Sequence, residues 1–240
     1  MRLALLVVAA CGSSAPPNHD VAQHVDDSVA SRPGAPTIAW QANAFAVTGL
    51  PAVARAGELA VVPVIESDGG RGFPNLRIEA RDRTDKVVQK IAVMTSNEYE
   101  TLAPGGTPSK SLGDRVATAN AELAKAHGLH DLVAMHALEL QDTTDGSDKH
   151  LAIGDSLDVD WDHDHLHVFP HNVNHPLATV DGTPWLAKDT THVGGDVCHN
   201  LVFLKVVYHA IGINLIVVEL GYHGTDTCWE PSAQQHVVVW

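Results

Sequence analysis

Two apolar runs dominate the C-terminal part of the chain. The segments Leu201–Tyr208 and Asn214–Leu220 are rich in β-branched and aliphatic residues, and the short glycine-containing segment His209–Ile213 separates them. Their length and spacing are typical of a β-hairpin. In each run, apolar residues occupy both sets of alternating positions, as expected for strands that are covered on both faces. We therefore predict that this hairpin lies at the centre of a sheet.

Other parts of the chain carry weaker strand patterns. In Asn75–Asp82 apolar and charged residues alternate, and the apolar run Lys86–Met94 follows after a short polar turn. These runs are typical of an antiparallel hairpin with a charged face in water. Further strands are predicted at Thr37–Val47, which can hold one or two strands, at Glu58–Glu66, where Pro63 indicates an edge, a bulge or a strand end, and at Gln235–Trp240.

One segment, Leu112–His127, has the spacing of an amphipathic helix. Ser111 is a suitable N-cap and Gly128 a suitable stop. The following segment, Leu129–Leu140, fits either a strand or a short second helix, because periodicity does not separate the two. Together the patterns predict an α+β fold with a mainly antiparallel β-sheet and one principal helix. The predicted helix carries a narrow apolar stripe of four residues: Val116, Ala119, Leu123 and Ala126.

The N-terminal segment has the pattern of an export signal. Arg2 precedes the apolar run Leu3–Ala10, and small residues lead up to Cys11. This segment resembles the lipobox of bacterial lipoproteins. The resemblance implies that Cys11 is lipidated, becomes the first residue of the mature protein and holds it at a membrane through lipid. The alternatives are a plain cleaved signal and an ordinary N-terminal strand.

The same resemblance bears on localisation and domain organisation. Gly12 stands where inner-membrane lipoproteins of enteric bacteria carry aspartate, which favours the outer membrane of the cell envelope. Residues 11–36 are rich in proline, serine, glycine and aspartate, which is typical of a solvated tether. We therefore expect a signal peptide at 1–10, a flexible tether at 11–36 and a single β-rich domain at 37–240.

The charge of the chain narrows the class of partner. The chain has 15 Lys and Arg residues against 29 Asp and Glu residues, and removal of the signal with Arg2 leaves 14 − 29 = −15. A strongly acidic protein does not suit the phosphates of nucleic acid or the surface of anionic lipids. The expected partners are the membrane, through the lipid anchor, and an envelope protein, but no nucleic acid.

Cys198 and Cys228 are the two cysteines of the mature chain. They flank the central hairpin, so antiparallel pairing brings them to the same end of it. In an exported protein this arrangement favours a disulfide, which would close a loop of about thirty residues and contribute about 3 to 4 kcal/mol. The alternatives are free thiols and a zinc site formed by Cys198, His199, His223 and Cys228.

The segment Asp155–His175 is the one stretch with candidate metal chemistry. Leu157, Val159 and Trp161 alternate with aspartates, and histidines then alternate with Leu166 and Val168, so the segment predicts a hairpin that turns near Asp162. Provided that the register brings both polar sets to one face, imidazole and carboxylate can bind zinc, copper, nickel or manganese. The alternative is a polar face that binds nothing specific. The candidate ligands are Asp158, Asp160, His163, His165 and His167, and His171 and His175 could complete the set.

A second motif overlaps this hairpin. Gly154 to Leu157 spells the serine motif of GDSL esterases, and Asp160 and His163 have the spacing of the second motif of that family. In that family the two motifs lie far apart and the serine follows a buried parallel strand, whereas here they are almost adjacent on an antiparallel hairpin. The context argues against a hydrolase that uses Ser156.

The function best supported by the sequence is a non-enzymatic binding or structural lipoprotein of the cell envelope. A divalent-metal-binding protein, with a metal such as zinc on the His/Asp hairpin, and a hydrolase are the alternatives; no cofactor is assured. The segments Pro74–Val88 and Tyr222–Pro231 resemble parts of secreted myxobacterial proteins. That resemblance implies export and no particular activity.

Overall fold

The fold is given by a computed structural model. The structure describes residues 36–41, 44–67, 73–103, 109–126, 131–139, 149–155, 157–162, 165–182, 192–193, 196–197, 201–223 and 233–240. Within these residues the chain forms seventeen strands and two helices. The strands make three larger antiparallel sheets and two separate hairpins, so the protein has a mainly antiparallel α+β fold.

The N-terminal half forms a hairpin and a five-stranded sheet. The hairpin pairs β1 (Thr37–Gln41) with β2 (Ala44–Thr48). The strands of the five-stranded sheet are β3 (Ala52–Ala54), β4 (Leu59–Ser67), β5 (Pro74–Asp82), β6 (Val87–Met94) and β7 (Leu132–Ala134), in the order β6-β5-β4-β3-β7. The predicted antiparallel hairpin is confirmed as β5 and β6, and the segment Thr37–Val47, predicted to hold one or two strands, contains β1 and most of β2.

Pro63 lies inside β4 rather than at its end. It stands opposite Ile78 of β5, whereas β3 pairs with β4 only at Ala60 and Val61. Among the described residues no strand pairs with the other side of β4 at Pro63, so its missing N–H costs no ladder hydrogen bond. The edge position that the proline indicated is therefore local to one half of β4.

Two helices cover the outer face of the five-stranded sheet. The short helix α1 (Ser96–Leu102) begins with a capping box between Thr95 and Glu98, and α2 (Lys110–Lys125) is the predicted principal helix. The N-cap of α2 is Ser109 and not Ser111 as predicted, so the helix begins two residues earlier. The predicted stripe is buried against the sheet together with Leu112: Val116, Ala119, Leu123 and Ala126.

The central sheet contains the two apolar runs that dominate the C-terminal part of the sequence. Its strands are β8 (His136–Glu139), β15 (Leu201–His209), β16 (Leu215–His223) and β17 (Ala233–Val239), in the order β17-β16-β15-β8. Thus β15 and β16 form the predicted central hairpin. The segment Leu129–Leu140, for which strand and helix were both open, contributes the strands β7 and β8.

A third sheet, the outer sheet, covers the central one. Its strands are β9 (Lys149–Ile153), β10 (Leu157–Trp161), β11 (His165–Pro170) and β12 (Ala178–Asp181), in the order β12-β11-β10-β9. The predicted hairpin at Asp155–His175 is confirmed as β10 and β11. The second separate hairpin pairs the two-residue strands β13 (His192–Val193) and β14 (Asp196–Val197).

The central sheet is covered on both faces, which explains why its apolar residues occupy both alternating sets. In β16, Ile216 and Val218 pack against the outer sheet, whereas Leu215 and Val217 pack against the five-stranded sheet. The layers are therefore the helices with the β1–β2 hairpin, the five-stranded sheet, the central sheet and the outer sheet. This order leaves one face of the outer sheet without a covering layer among the described residues.

Candidate functional site

The polar face of the outer sheet gathers histidines and aspartates from three strands. Alternation along β10 and β11 turns Val159, Trp161 and Leu166 into the core, so the intervening residues share the opposite face. The antiparallel register then places Asp160 of β10 directly between His150 of β9 and His167 of β11. We call this surface the His/Asp face, and its members are His150, Asp158, Asp160, Asp162, His165, His167, His171 and Thr179.

One half of the His/Asp face is arranged around Asp158 and Asp160. The Nδ1 atom of His150 lies 2.5 Å from Asp160 Oδ1, and the Nδ1 atom of His171 lies 3.1 Å from Asp158 Oδ1. His150 also faces Asp158, with 4.0 Å between Nε2 and Oδ1. Asp158 is only 9% exposed, so its carboxylate lies beneath the imidazoles that approach it.

The other half is arranged around Asp162, at the end of the β10–β11 hairpin. One carboxylate oxygen, Oδ1, accepts the backbone N–H of His165 at 3.0 Å and lies 3.6 Å from Nδ1 of the same residue. The second oxygen, Oδ2, lies 3.2 Å from Nε2 of His167. The two imidazole rings are stacked, with centroids 6.1 Å apart. Two histidines of one strand therefore face one carboxylate.

The groups around Asp162 lower the pKa of its carboxyl. Burial acts to raise its pKa, but the hydrogen bond from His167, the backbone N–H of His165 and the positive charge of these imidazoles lower it by more, so the pKa lies below its ordinary value. On its far side, His167 Nδ1 lies 3.1 Å from the hydroxyl oxygen of Thr179. Both nitrogens of His167 are thus engaged.

The sequence predicted part of this face. His165, His167, Asp158 and Asp160 do lie together on it, whereas His163 lies outside the described residues. Asp162 and His150 were not among the predicted ligands. Asp162 has the same alternating parity as Asp158 and Asp160, which is a signal that the sequence contained, whereas His150 joins the face only through the pairing of β9 with β10. Among the described residues, no three His, Cys, Asp or Glu side chains are already gathered as a metal-binding group.

The remaining predicted sites lie outside the described residues. They include the lipidation site Cys11, the residues Cys198, His199 and Cys228, and the serine of the esterase motif, Ser156. Of the residues that flank this serine, Gly154 directly follows β9 and Leu157 begins β10, and these two strands pair antiparallel. Neither helix in the described part of the chain has the length and apolar character needed to cross a membrane.

A second polar cluster lies on the β5–β6 hairpin and is buried. Glu79, 1% exposed, accepts hydrogen bonds from Arg77 at 2.7 Å and Arg81 at 2.8 Å. Burial raises the pKa of Glu79, but these two guanidinium groups lower it by more, so the pKa lies below its ordinary value. The interpretation of this alternating face as charged and wet was therefore wrong at Glu79, because the central sheet packs over the same side of the five-stranded sheet.

Asp85, in the turn between β5 and β6, extends this buried cluster to the central sheet. Its carboxylate accepts Arg81 at 3.0 Å, the backbone N–H of Val237 at 2.9 Å and Nδ1 of His236 at 2.7 Å. Burial raises the pKa of Asp85, but the bonds from His236 and Val237 and the nearby charges of His236 and Arg81 lower it below its ordinary value. The turn thus ties two sheets together through edge strand β17.

A third buried carboxylate, Glu219 of β16, is satisfied within the central sheet. Its Oε1 accepts Lys205 Nζ at 2.8 Å, and its Oε2 accepts the Tyr208 hydroxyl at 3.1 Å and the Gln235 amide at 3.0 Å. Lys205 lies at a register shift in β15, where one residue is inserted opposite β16. Every partner of this carboxylate comes from neighbouring strands of one sheet, which indicates a structural role.

Comparison with known proteins gave no match: neither a protein-family model, nor a curated protein, nor a solved structure matches this chain. The resemblance of Pro74–Val88 and Tyr222–Pro231 to secreted myxobacterial proteins therefore stays a prediction, as does the resemblance of the N-terminus to a lipobox.

Proposed function

We propose that this protein is a non-enzymatic binding module of the cell envelope, held at the outer membrane by lipid on Cys11, and that the His/Asp face is its binding surface. The observation that carries the proposal is the asymmetry of the outer sheet. One face of that sheet is packed into the core, whereas the other presents paired imidazoles and carboxylates to solvent. A protein partner with complementary polar groups would suit such a face.

The anchoring part of the proposal is tested by cell fractionation. Wild-type protein and the Cys11→Ser variant are expressed with their natural N-terminus, and membrane and soluble fractions are compared after labelling with a fatty-acid analogue. We expect the wild type to carry the label and to sediment with outer membranes, and the variant to lose both. A wild type that is unlabelled and soluble would contradict the anchor but would leave the binding surface to be tested separately.

The binding surface is tested by site-specific photo-crosslinking in cells. A photoreactive residue at His165, on the His/Asp face, is compared with one at Val88, which is 52% exposed on the five-stranded sheet. We expect a discrete cross-linked envelope protein from position 165 and none from position 88. Equal products from both positions, or none from either, would contradict a protein-binding role of this face.

Divalent-metal binding is the second candidate function of the same face. It is favoured by the placement of two imidazoles at 3.2 and 3.6 Å from the two oxygens of Asp162. Imidazole and carboxylate are ligands that zinc and its neighbours in the first transition row accept. We expect purified protein to retain near-stoichiometric zinc, copper, nickel or manganese after dialysis, as measured by mass spectrometry. A double variant, His165→Ala with His167→Ala, should lose that metal.

We further propose that Cys198 and Cys228 form a disulfide that closes the central hairpin. Support comes from the register of the hairpin: Leu201, the first residue of β15, pairs with His223, the last residue of β16. Cys198 precedes Leu201 and Cys228 follows His223, so both cysteines are attached to the same end of the hairpin. Intact mass after alkylation without reductant tests it: the mature, exported protein should take up no alkyl group at these two positions. Alkylation of both cysteines would indicate free thiols instead.

A further inference from the structure

The turn end of the β10–β11 hairpin carries the most specific arrangement on the His/Asp face. We propose that one divalent ion of the zinc class binds there between Asp162, Nδ1 of His165 and Nε2 of His167. The inference rests on the second candidate function above and deepens it, because it assigns the ligands and brings in Asp162, which the sequence did not single out. It excludes Asp158 and Asp160 as ligands.

The two histidines are placed by strand geometry. His165 and His167 are two positions apart in β11, so their side chains leave the same face of the sheet. Their rings are nearly parallel, with 19° between the ring planes. Such a pair places two imidazoles on one side of the strand.

The carboxylate is placed by the backbone of the turn. Asp162 donates its own N–H to the carbonyl of His165 at 3.1 Å, and its Oδ1 accepts the N–H of His165 in return. The side chain is therefore held over the start of β11. Each of its oxygens faces a different imidazole, as a carboxylate must if it is to share an ion with both.

The two known nitrogen–oxygen separations are compatible with a tetrahedral ion. With bonds of about 2.1 Å from zinc to nitrogen or oxygen, neighbouring ligand atoms in a tetrahedron lie about 3.4 Å apart. The observed separations between nitrogen and oxygen are 3.2 Å for His167 and 3.6 Å for His165. As placed, the three side chains are not gathered round a common point, since no metal-holding group of three is found among the described residues, so the proposed site requires both rings to turn toward the ion. His165 is 42% exposed, so an ion can approach its ring from solvent.

Thr179 orients the ring of His167. In the ion-bound form His167 would give up its hydrogen bond to Asp162, and a Thr179 hydroxyl that accepts Nδ1–H would leave the lone pair of the ring on Nε2 for the ion. Partners of this kind, which orient a metal-binding histidine, are commonly worth about 10-fold to 100-fold in metal affinity. Thr179 is thus a positioning residue of the proposed site.

The other half of the face does not offer the same geometry. His171 and His150 both approach Asp158 through one oxygen, Oδ1, at 3.1 and 4.0 Å. His150 is in addition hydrogen-bonded to Asp160 through its other nitrogen. Asp160 and His171 therefore serve as matched controls, because they have the same chemistry on the same face.

The experiment is zinc titration of the full chain, purified in detergent and stripped with a chelator, in competition with a chromophoric zinc ligand. Circular dichroism and a thermal melt check that each variant is folded. We expect one zinc per chain, a loss of affinity of at least about tenfold in Asp162→Asn and His167→Ala, and a loss of about tenfold in Thr179→Val. Asp160→Asn and His171→Ala should stay within about twofold of the wild type.

The outcomes distinguish the ligand set from metal binding as such. Equal losses in Asp160→Asn and Asp162→Asn, or stoichiometric zinc that both Asp162→Asn and His167→Ala retain, would overturn the ligand set and leave metal binding by the protein intact. No zinc bound by the wild type would overturn both, without touching the protein-binding role. If Asp162→Asn or His167→Ala fails to fold, the exposed pair His165→Gln and His150→Gln decides, since only His165→Gln should lose zinc affinity by about tenfold or more.

Discussion

Imidazoles and carboxylates meet in two regions of this protein, and burial separates what the two regions can do. On the His/Asp face the side chains of His150, His165 and Asp162 are 62%, 42% and 50% exposed. In the cluster between the five-stranded and central sheets, those of Glu79 and His236 are 2% and 10% exposed. The same chemical groups are therefore reachable by a ligand in the first region and enclosed in the second.

In the buried region the carboxylates are paired with groups of their own neighbours. Glu79 and Asp85 accept two arginines, a histidine and a backbone N–H, and these bonds connect two sheets. Buried charges are tolerated only with such partners, because the cost of removing them from water must be offset. We infer that stability depends on the buried cluster, whereas the exposed face contributes little to stability and is available for binding.

The largest expected effect is loss of the buried carboxylate at Glu79. Glu79→Ala leaves Arg77 and Arg81 facing an empty site at the sheet junction, so we expect the free energy of unfolding to fall by about 3 kcal/mol or more. Urea denaturation measures it. Lys90→Ala is the matched control, since Lys90 lies 3.5 Å from the same carboxylate but is 59% exposed, and should cost less than about 1 kcal/mol. Similar losses of stability in Glu79→Ala and Lys90→Ala would contradict the distinction between buried and exposed charges.

A smaller loss is expected at Asp85, which has a positive φ of 61°. Asn tolerates this conformation, so Asp85→Asn tests the carboxylate without backbone strain and should cost about 2 kcal/mol, the usual range for hydrogen bonds to a charged group. The thermal midpoint and urea denaturation check it. Asp114→Asn, at an exposed pair with Lys110, is the control and should be near neutral. A stable Asp85→Asn would mean that the turn does not tie the sheets together.

Acid should lower the free energy of unfolding by protonating the carboxylates of the buried cluster. The effect should be smaller than that of removing a side chain, because a protonated carboxyl still fills its site. Folding lowers the pKa of Glu79 and of Asp85 below their ordinary values of 4.5 and 3.8. A lowered pKa contributes stability that is present at higher pH and is lost as pH falls through the ordinary value toward the folded one. We expect the free energy of unfolding to fall between about pH 6 and pH 3. The fall should be shallower in the double variant Glu79→Gln, Asp85→Asn; an unchanged slope would assign the effect to other groups.

The smallest effects on stability are expected on the His/Asp face. His150→Ala removes an exposed pair with Asp160, and His171→Ala removes a part-buried pair with Asp158, so each should change the free energy of unfolding by less than about 1 kcal/mol. Thermal melts at neutral pH provide the measurement. A loss above about 1 kcal/mol would show that these imidazoles stabilise the fold by pairing with the aspartates. The His/Asp face would then contribute to stability as the buried cluster does.

Much of the fold was readable from the sequence, because local rules govern it. Apolar residues at both alternating sets predicted that β15 and β16 lie at a sheet centre, and the apolar stripe predicted α2. The capping box of Thr95 and Glu98 was equally readable and would have marked α1, which was missed. The polar alternation at Asp155–His175 predicted the hairpin that carries the candidate site.

Only tertiary structure decided which polar faces meet water. The alternating charges of β5 and the alternating aspartates of β10 have the same sequence pattern, yet Glu79 is enclosed by a second sheet and Asp160 is not. Likewise, His150 is distant in sequence from His167 and lies near it only because β9 pairs with β10 and β10 with β11. Periodicity fixes which side chains share a face, because it follows from the backbone. The packing of distant sheets determines whether that face is buried, since that depends on contacts no local pattern encodes.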